Sequence, residues 1–389
     1  MIGLNSLTTQ HFRKQLNRLG SGHKNLVSFI DFNSHQLPSS QISSSSRRNF
    51  TILNRALIDS DPSISSDLDH ATSTVRTFDP SGYLPGLLLR SNDARVGYFA
   101  MRSFWIESGL RFKKNPLKND FSSSKQISGV GQRHIMIPDQ ERVKFWKNGV
   151  DAVFNGSYGD VPMQDNTTLR LLREILKKHS LPRKHFDNII EGREMDVNMK
   201  QYPTIISLEK HVNMSCGSLL QLVLECGGIH DNCPENELIF DAAREVGIAH
   251  GLTNALRTSV PTASATGKVI IPQELCTKHG IESPRYLLSA LGMGDEKCKR
   301  HMQDAVKDIV QIARDHLEQA RKKREEISKH PLGDIATSAF LPALASETFL
   351  DRLENHQFDL TNRALRNVSQ IEHMQCAQRL LVGSWNKTF

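Results

Sequence analysis

From Tyr83 to the C-terminus, apolar residues recur at steps of three and four, and runs that alternate apolar with polar residues are scarce. That spacing lines one side of a helix, whereas a half-buried strand needs a step of two. It confines the chain to an all-α fold. In and just before the stretch Glu245–Leu275, Ile239, Ala242, Val246, Ala249, Thr253 and Leu256 form a narrow, mostly apolar stripe. On another face Gly247, Gly251, Asn254 and Thr258 follow the same spacing as a strip of small residues, where either a neighbouring helix or a ligand can come close. Pro261 is expected to end this helix near Val260, because proline lacks an N–H and disfavours helical geometry in the residue before it.

Further helices are predicted over Leu87–Arg111, after Pro138 with Asp139 as a cap, and over Leu169–Lys178, Arg183–Asn198 and Ser207–Cys226. Others are expected over Met302–Lys323, Ser346–Leu353 and Arg363–Trp385. Residues 115–131, rich in Ser, Lys and Gly, are expected to be a loop. No internal repeat occurs, so residues 83–389 are expected to form one all-α domain with helices packed around a shared centre. No run of about 18 uncharged apolar residues exists, so no transmembrane helix is predicted. None of the six cysteines forms a CxxC pair and no His pair has zinc-finger spacing. Structural thiols, without a metal site, follow from that pattern.

The net charge of +7 is unevenly spread: residues 1–50 carry Arg13, Lys14, Arg18, Lys24, Arg47 and Arg48 against Asp31, which leaves only +2 for the rest. A nearly neutral body is not a surface that tracks phosphates, so nucleic acid is not expected as a partner. The basic, Ser-rich segment 1–50, with Leu4, Leu7, Phe12, Leu16 and Leu19 near helical spacing, has the composition of a mitochondrial or plastid transit peptide, with cleavage expected near Thr51, or of a disordered basic tail. Residues 51–82, acidic and Ser-rich in their second half, are expected to be a linker.

Glu191–Val197 reads EGREMDV, followed by Tyr202, Thr204, Leu208 and Cys216-Gly217, and then by Gly247–Arg257, Gly267-Lys268 and Ile271-Pro272. In order and spacing these motifs resemble the squalene and phytoene synthase family. The resemblance implies an isoprenoid-synthase-like helical domain around a central cavity. Enzymes of that family join isoprenoid diphosphates using Mg²⁺, which needs oxygen ligands from paired carboxylates, and an i, i+4 Asp pair puts both on one helix face. Carried over residue by residue, the first DxxxD pair falls at Gly109 and Lys113 and the second at Thr258 and Thr262. Both pairs are missing, and near the first only Glu107 is acidic.

A branch of the family shares this pattern, and the chain also resembles that branch in Phe99–Phe104, Phe145–Val150 and the ending Ser384–Phe389. The branch implies a non-catalytic mitochondrial factor needed for early biogenesis of respiratory complex I, with no cofactor or metal. Its partners would be complex I subunits or other assembly factors, with peripheral contact to the inner membrane on the matrix side and an isoprenoid or lipid-like ligand as an option. The alternative is a working Mg²⁺-dependent prenyl synthase with unusual ligands.

Glu191 and Asp196 read either as remnants of a polar cavity wall or as a solvated helix face and a satisfied carboxylate. Gly247, Gly251, Asn254 and Arg257 are candidate cavity lining. Arg257 either holds an anionic headgroup or pairs with Glu191, Glu194 or Asp196, and Asn254 then bridges two helices. His250 reads as a packed histidine and Trp385 as a packing anchor. Arg321–Arg324 reads as a solvated helix end, with attraction to an anionic membrane as the other reading.

Overall fold

The computed structural model describes residues 62–109, 139–156, 166–281, 296–366 and 368–389. Residues 1–50, Lys113 and the loop expected at 115–131 lie outside that range. Within it, the first finding corrects the linker expected at 51–82. Residues 62–78 are helix α1 (Pro62–Phe78), which buries Leu68, Ala71 and Val75. Three modest apolar side chains among Ser, Thr and Asp make a faint stripe in sequence. Packing reveals it, and Asp67 fixes it to Arg170 through an ion pair of 2.6 Å.

Helix α2 (Pro80–Leu88) starts at Asp79, whose Oδ1 accepts the Gly82 N–H at 3.0 Å. Helix α3 spans Asn92–Gly109. The single helix expected over Leu87–Arg111 is therefore two, because Leu89 is extended (φ −60°, ψ 130°) and the Ser91 hydroxyl accepts the Ala94 N–H to restart the chain. Next come α4 (Asp139–Asn155), α5 (Thr167–Lys178), capped by Asn166, and α6 (Arg183–Asn198). Helix α7 (Ile205–Val212) opens with a reciprocal cap between Thr204 and Ser207, then passes through a π-helical stretch, Asn213–Gly217, into α8 (Ser218–Cys226).

Helix α9 (Glu237–Thr266) does not stop at Val260 as expected; it carries Pro261 internally and ends at Gly267, whose φ of 68° suits glycine. Pro261 is exposed, so the Arg257 carbonyl that loses its intrahelical donor lies near solvent, and the helix survives the lost bond. The remaining elements are α10 (Gln273–Lys278), α11 (Glu296–Lys322), α12 (Arg324–Lys329), α13 (Gly333–Ala339), α14 (Pro342–Asn355), α15 (Arg363–Arg366) and α16 (Gln370–Asn386). Among the described residues the only β pairing is an isolated bridge between Gln201 and Val269.

Helix α9 is the central strut: its stripe Ile239, Ala242, Val246, Ala249, Thr253 and Leu256 is fully buried, and it packs on α11, α14, α8 and the π-helical stretch. The small-residue strip serves helix contact at its glycines. A Cβ on Gly247 would stand 2.5 Å from Gly217 Cα, and one on Gly251 would stand 2.5 Å from Val212 Cβ. Gly247→Ala is therefore expected to push backbone from backbone and cost about 1–3 kcal/mol, measurable by urea unfolding, whereas Ala255→Gly on the same helix should cost about 1 kcal/mol.

At the C-terminal end the basic run and the packing anchor differ in outcome. Arg321 donates to Glu347 through both terminal nitrogens (2.7 and 2.9 Å) and through Nε to the Phe389 carbonyl (2.9 Å), while Lys322 and Lys323 pair with Glu318 and Asp241. Arg321 is thus tied into the fold, while Lys322 and Arg324 are exposed, as in the solvated helix end expected for this run. Trp385 is 63 % exposed, so the packing anchor at this end is instead Phe389, 2 % exposed and edge-on to Phe340.

Candidate functional site

Tyr98, Arg102, Trp105 and Gly109 follow one another along α3 at steps of four, three and four, and so share a face. At Gly109, where the family resemblance puts the first metal-binding carboxylate, the Arg193 guanidinium carbon lies 2.9 Å from the position a Cβ would take. Arg193 is fixed there: its Nη2 donates to the Trp105 carbonyl at 2.5 Å, its Nε to Ser108 Oγ at 3.3 Å, and its cation sits 5.2 Å from the Trp105 ring centre. The nearby acid, Glu107, accepts from Ser103 (3.1 Å) and Thr168 (2.9 Å) and meets His70 (3.0 Å), so it ties α3 to α1 and α5.

Arg193 also belongs to a second cluster. Half-buried Asp196 faces Arg193 Nη1 at 3.5 Å, His211 Nε2 at 3.4 Å and Lys268 Nζ at 2.5 Å, and Lys268 also reaches the Tyr202 hydroxyl at 3.2 Å. Burial alone would raise the Asp196 pKa, but His211, Lys268 and Arg193 outweigh it and hold the carboxyl below its usual range. Burial, helped by the charges of Lys268 and Arg193 and opposed by Asp196, pushes His211 down to about 4. Neutral His211 leaves two fixed cations on one carboxylate. This surplus of positive charge repels a divalent cation. The second pair of positions agrees: the Thr258 hydroxyl donates to its own helix at Asn254 O, 2.8 Å, and Thr258 is exposed. These residues do not fit a Mg²⁺ site.

Side chains from α3 and α9 also meet, at Arg102 and His250. Arg102, 0 % exposed, donates through Nε to Asp79 at 2.5 Å and through Nη2 to His250 Nε2 at 3.1 Å. His250 Nε2 also lies 3.0 Å from Asn254 Nδ2, and its Nδ1 lies 2.9 Å from Ser346 Oγ, a hydroxyl that itself donates to Pro342 O. The network therefore assigns the His250 proton to Nδ1, with Nε2 accepting twice. Burial and the Arg102 charge keep it neutral. His250 is a packed core histidine that links α3, α9 and α14.

Of the residues chosen from sequence, Glu191 is exposed and lines no buried surface. Asp196 is a satisfied carboxylate. Gly247 and Gly251 make helix contacts, and Asn254 bonds His250 and accepts from Arg257 at 3.1 Å. Arg257 does not pair with Glu191, Glu194 or Asp196: it donates to Ser81 at 2.9 Å and lies 5.0 Å from the Phe349 ring centre. Arg193, His211, Arg102 and Asp79 were not singled out as site residues. Arg102, spaced four residues from Tyr98 and seven from Gly109, is legible in sequence only as one charge among Asp93, Arg95 and Glu107 on α3.

A family model for squalene/phytoene synthase matches residues 128–372, more than half of the chain. The chain is 28 % identical over 315 residues, 81 % of each protein, to a Bos taurus relative named NADH dehydrogenase (ubiquinone) complex I, assembly factor 6. It is 29 % identical over 302 residues, 77 % of this chain and 74 % of the relative, to the Dictyostelium discoideum homologue of that factor. Among solved structures, squalene synthase from Alicyclobacillus acidocaldarius superposes with a TM-score of 0.55 at 15 % identity, covering 79 % of this chain and 99 % of that one. The motif order, the helical fold and the model match agree: the chain belongs to the squalene/phytoene synthase family.

Proposed function

We propose that this chain is a non-catalytic mitochondrial assembly factor for respiratory complex I, active early in its biogenesis through binding of protein or a lipid-like ligand. The observation that carries the loss of catalysis is Arg193, a fixed guanidinium at the position of a metal-binding carboxylate, with Lys268 beside it. Ionising an isoprenoid diphosphate requires Mg²⁺ to neutralise the leaving group, and this site offers cations in place of metal ligands. The relatives that carry the assembly-factor name extend over about four-fifths of the chain, which supports the same role here. The basic segment 1–50 supports import into mitochondria, and contact with the matrix side of the inner membrane would be peripheral, since among the described residues no helix is long and apolar enough to cross a membrane.

The second reading, a working prenyl synthase, draws on a 26 % identity over 240 residues to Daucus carota phytoene synthase. Two measurements separate them. Depleting the protein from cells is expected to lower assembled complex I and its activity, and the purified chain with Mg²⁺ and farnesyl or geranylgeranyl diphosphate is expected to release no diphosphate above background. Normal complex I after depletion sinks the assembly role, and metal-dependent diphosphate release sinks the non-catalytic one.

A further inference from the structure

His316 stands where α11, α9 and α7 meet, and each of its ring nitrogens faces a carboxylate. Its Nδ1 lies 2.6 Å from Glu245 Oε2 on α9, and its Nε2 lies 3.2 Å from Glu209 Oε1 on α7. An ionised carboxylate only accepts hydrogen bonds, so both contacts are bonds only while both nitrogens carry protons. A neutral ring holds one proton, keeps one carboxylate and turns a lone pair on the other. The Glu245 contact is the shorter, and the Glu245 side chain is 14 % exposed against 25 % for Glu209, so Glu209 is the partner that lets go. The ring itself is 20 % exposed and can exchange its proton with solvent. Helix α7 has little else to hold it. Its eight residues are too few to be stable without packing, and it continues into the π-helical stretch Asn213–Gly217, where Ser215 accepts from Trp105 at 2.7 Å and Gly217 packs on Gly247.

We infer that His316 is a proton-operated clip: as an imidazolium it pins α7 to α9 and α11, and on losing its proton it releases Glu209 and loosens α7 together with the π-helical stretch behind it. The charged groups around the ring favour the closed clip. Beyond Glu209 from α7 and Glu245 from α9, Arg244 lies 3.6 Å from the second oxygen of Glu245, and Lys323, just past α11, pairs with Asp241. Elsewhere along α11, Arg314 pairs with Asp351 and Glu354 of α14, and Asp308 pairs with Lys278 and His279 at the end of α10. Burial opposes the charge on His316, but its bonds to Glu245 and Glu209 outweigh burial and raise its pKa, and His316 in turn holds the Glu245 carboxyl below its usual range. The tie is therefore complete below 6.5 and is lost as pH rises through the raised value. Other groups beside α7 keep their state over that rise: His211 is already neutral, Asp196 already ionised, and burial pushes the Cys216 thiol up to about 11.

The test is hydrogen–deuterium exchange of the full chain between about pH 6 and about pH 9, with each rate divided by the intrinsic rate at that pH. In the wild type the protection of α7 should fall about tenfold over this range, the size of one hydrogen bond to a charged group, while α8 keeps its protection. Glu209→Gln is the decisive variant. Its carboxamide accepts from a protonated Nε2 and donates to a bare one, so the bond survives at both ends of the range and α7 should show a flat profile. Wild-type protection of α8 at the acidic end checks that this isosteric variant is folded. The His316 ring, followed by NMR in the wild type, should titrate with a midpoint above 6.5. A midpoint below that value, or wild-type α7 protection that does not fall, overturns the inference. So does a fall that Glu209→Gln leaves in place, because the proton would then act elsewhere. None of these readings involves complex I, so the result is separate from the assembly role.

Discussion

Between pH 7 and pH 4.5 the fold should lose about 7 kcal/mol of stability, about 2–3 kcal/mol from each of three buried histidines, one of them His250, which burial and the Arg102 charge push down to about 3. His185 is 3 % exposed, neither ring nitrogen has a hydrogen-bond partner, and burial, with Lys184 adding, pushes its pKa down to about 4. His211 is held at about 4 by burial and the cations around Asp196. An unfolded histidine takes its proton near 6.5, so below that value the unfolded chain binds protons that the folded one refuses. Stability is thus complete above 6.5 and is lost as pH falls toward 4. His70 and His316 shift upward, His70 first through its bond to Glu107, His316 through Glu245 and Glu209 against its burial. Their stabilisation is complete below 6.5 and constant across the acidic part of the window. Urea unfolding across the window measures the sum. His185→Leu, which removes an unsatisfied polar ring, should be neutral or stabilising at pH 7 and remove about a third of the acid sensitivity. A flat profile for the wild type, or an unchanged one for the variant, contradicts the assignment. Natural domains hold only about 5–15 kcal/mol, so the loss is large enough to bring the protein close to acid unfolding.

The elements that were legible from sequence are those with strong, uninterrupted stripes. Helix α9 kept its apolar face from Ile239 to Leu256, and α5 and α6 match their expected spans, because several large apolar residues at helical spacing outweigh local propensity. Helix α1 was not legible, since its burial depends on partners far along the chain, Arg170 and the face of α3. The extension of α9 past Pro261 was missed for a related reason: proline weakens one hydrogen bond, but tertiary packing of the rest of a 30-residue helix decides where it ends. At the site, the absent carboxylates at Gly109 and Thr258 can be read directly, because absence is a property of single positions. What fills their place cannot. Arg193 is brought to Gly109 by the crossing of α6 with α3, and Lys268 to Asp196 by the turn after α9, and neither encounter leaves a mark on residue spacing.

Replacing Asp79 by asparagine should cost about 3–5 kcal/mol, the size expected when one partner of a buried ion pair is removed. The amide would keep the shape of the side chain and an oxygen able to cap α2, so the loss isolates the charge. In the native protein Asp79 is 11 % exposed and Arg102 fully buried, their charges separated by 2.5 Å. Burial alone would raise the Asp79 pKa, yet the Arg102 charge wins and holds it down. Arg102 also lies 5.3 Å from the Tyr98 ring centre and 6.0 Å from that of Trp105, but its Nη1 finds no hydrogen-bond partner, so without Asp79 the cation keeps only a neutral histidine and two aromatic rings. Arg102→Met alone should also destabilise, by a smaller amount, because the abandoned carboxyl can take up a proton whereas a guanidinium cannot release one. The double variant should recover much of the Asp79→Asn loss, since two neutral groups leave no unpaired charge. Denaturant midpoints of the four proteins close this cycle. Additive losses would show that Arg102 is held by its packing and its contact to His250 instead of by Asp79, and the tie between the start of α2 and α3 would then carry no charge coupling.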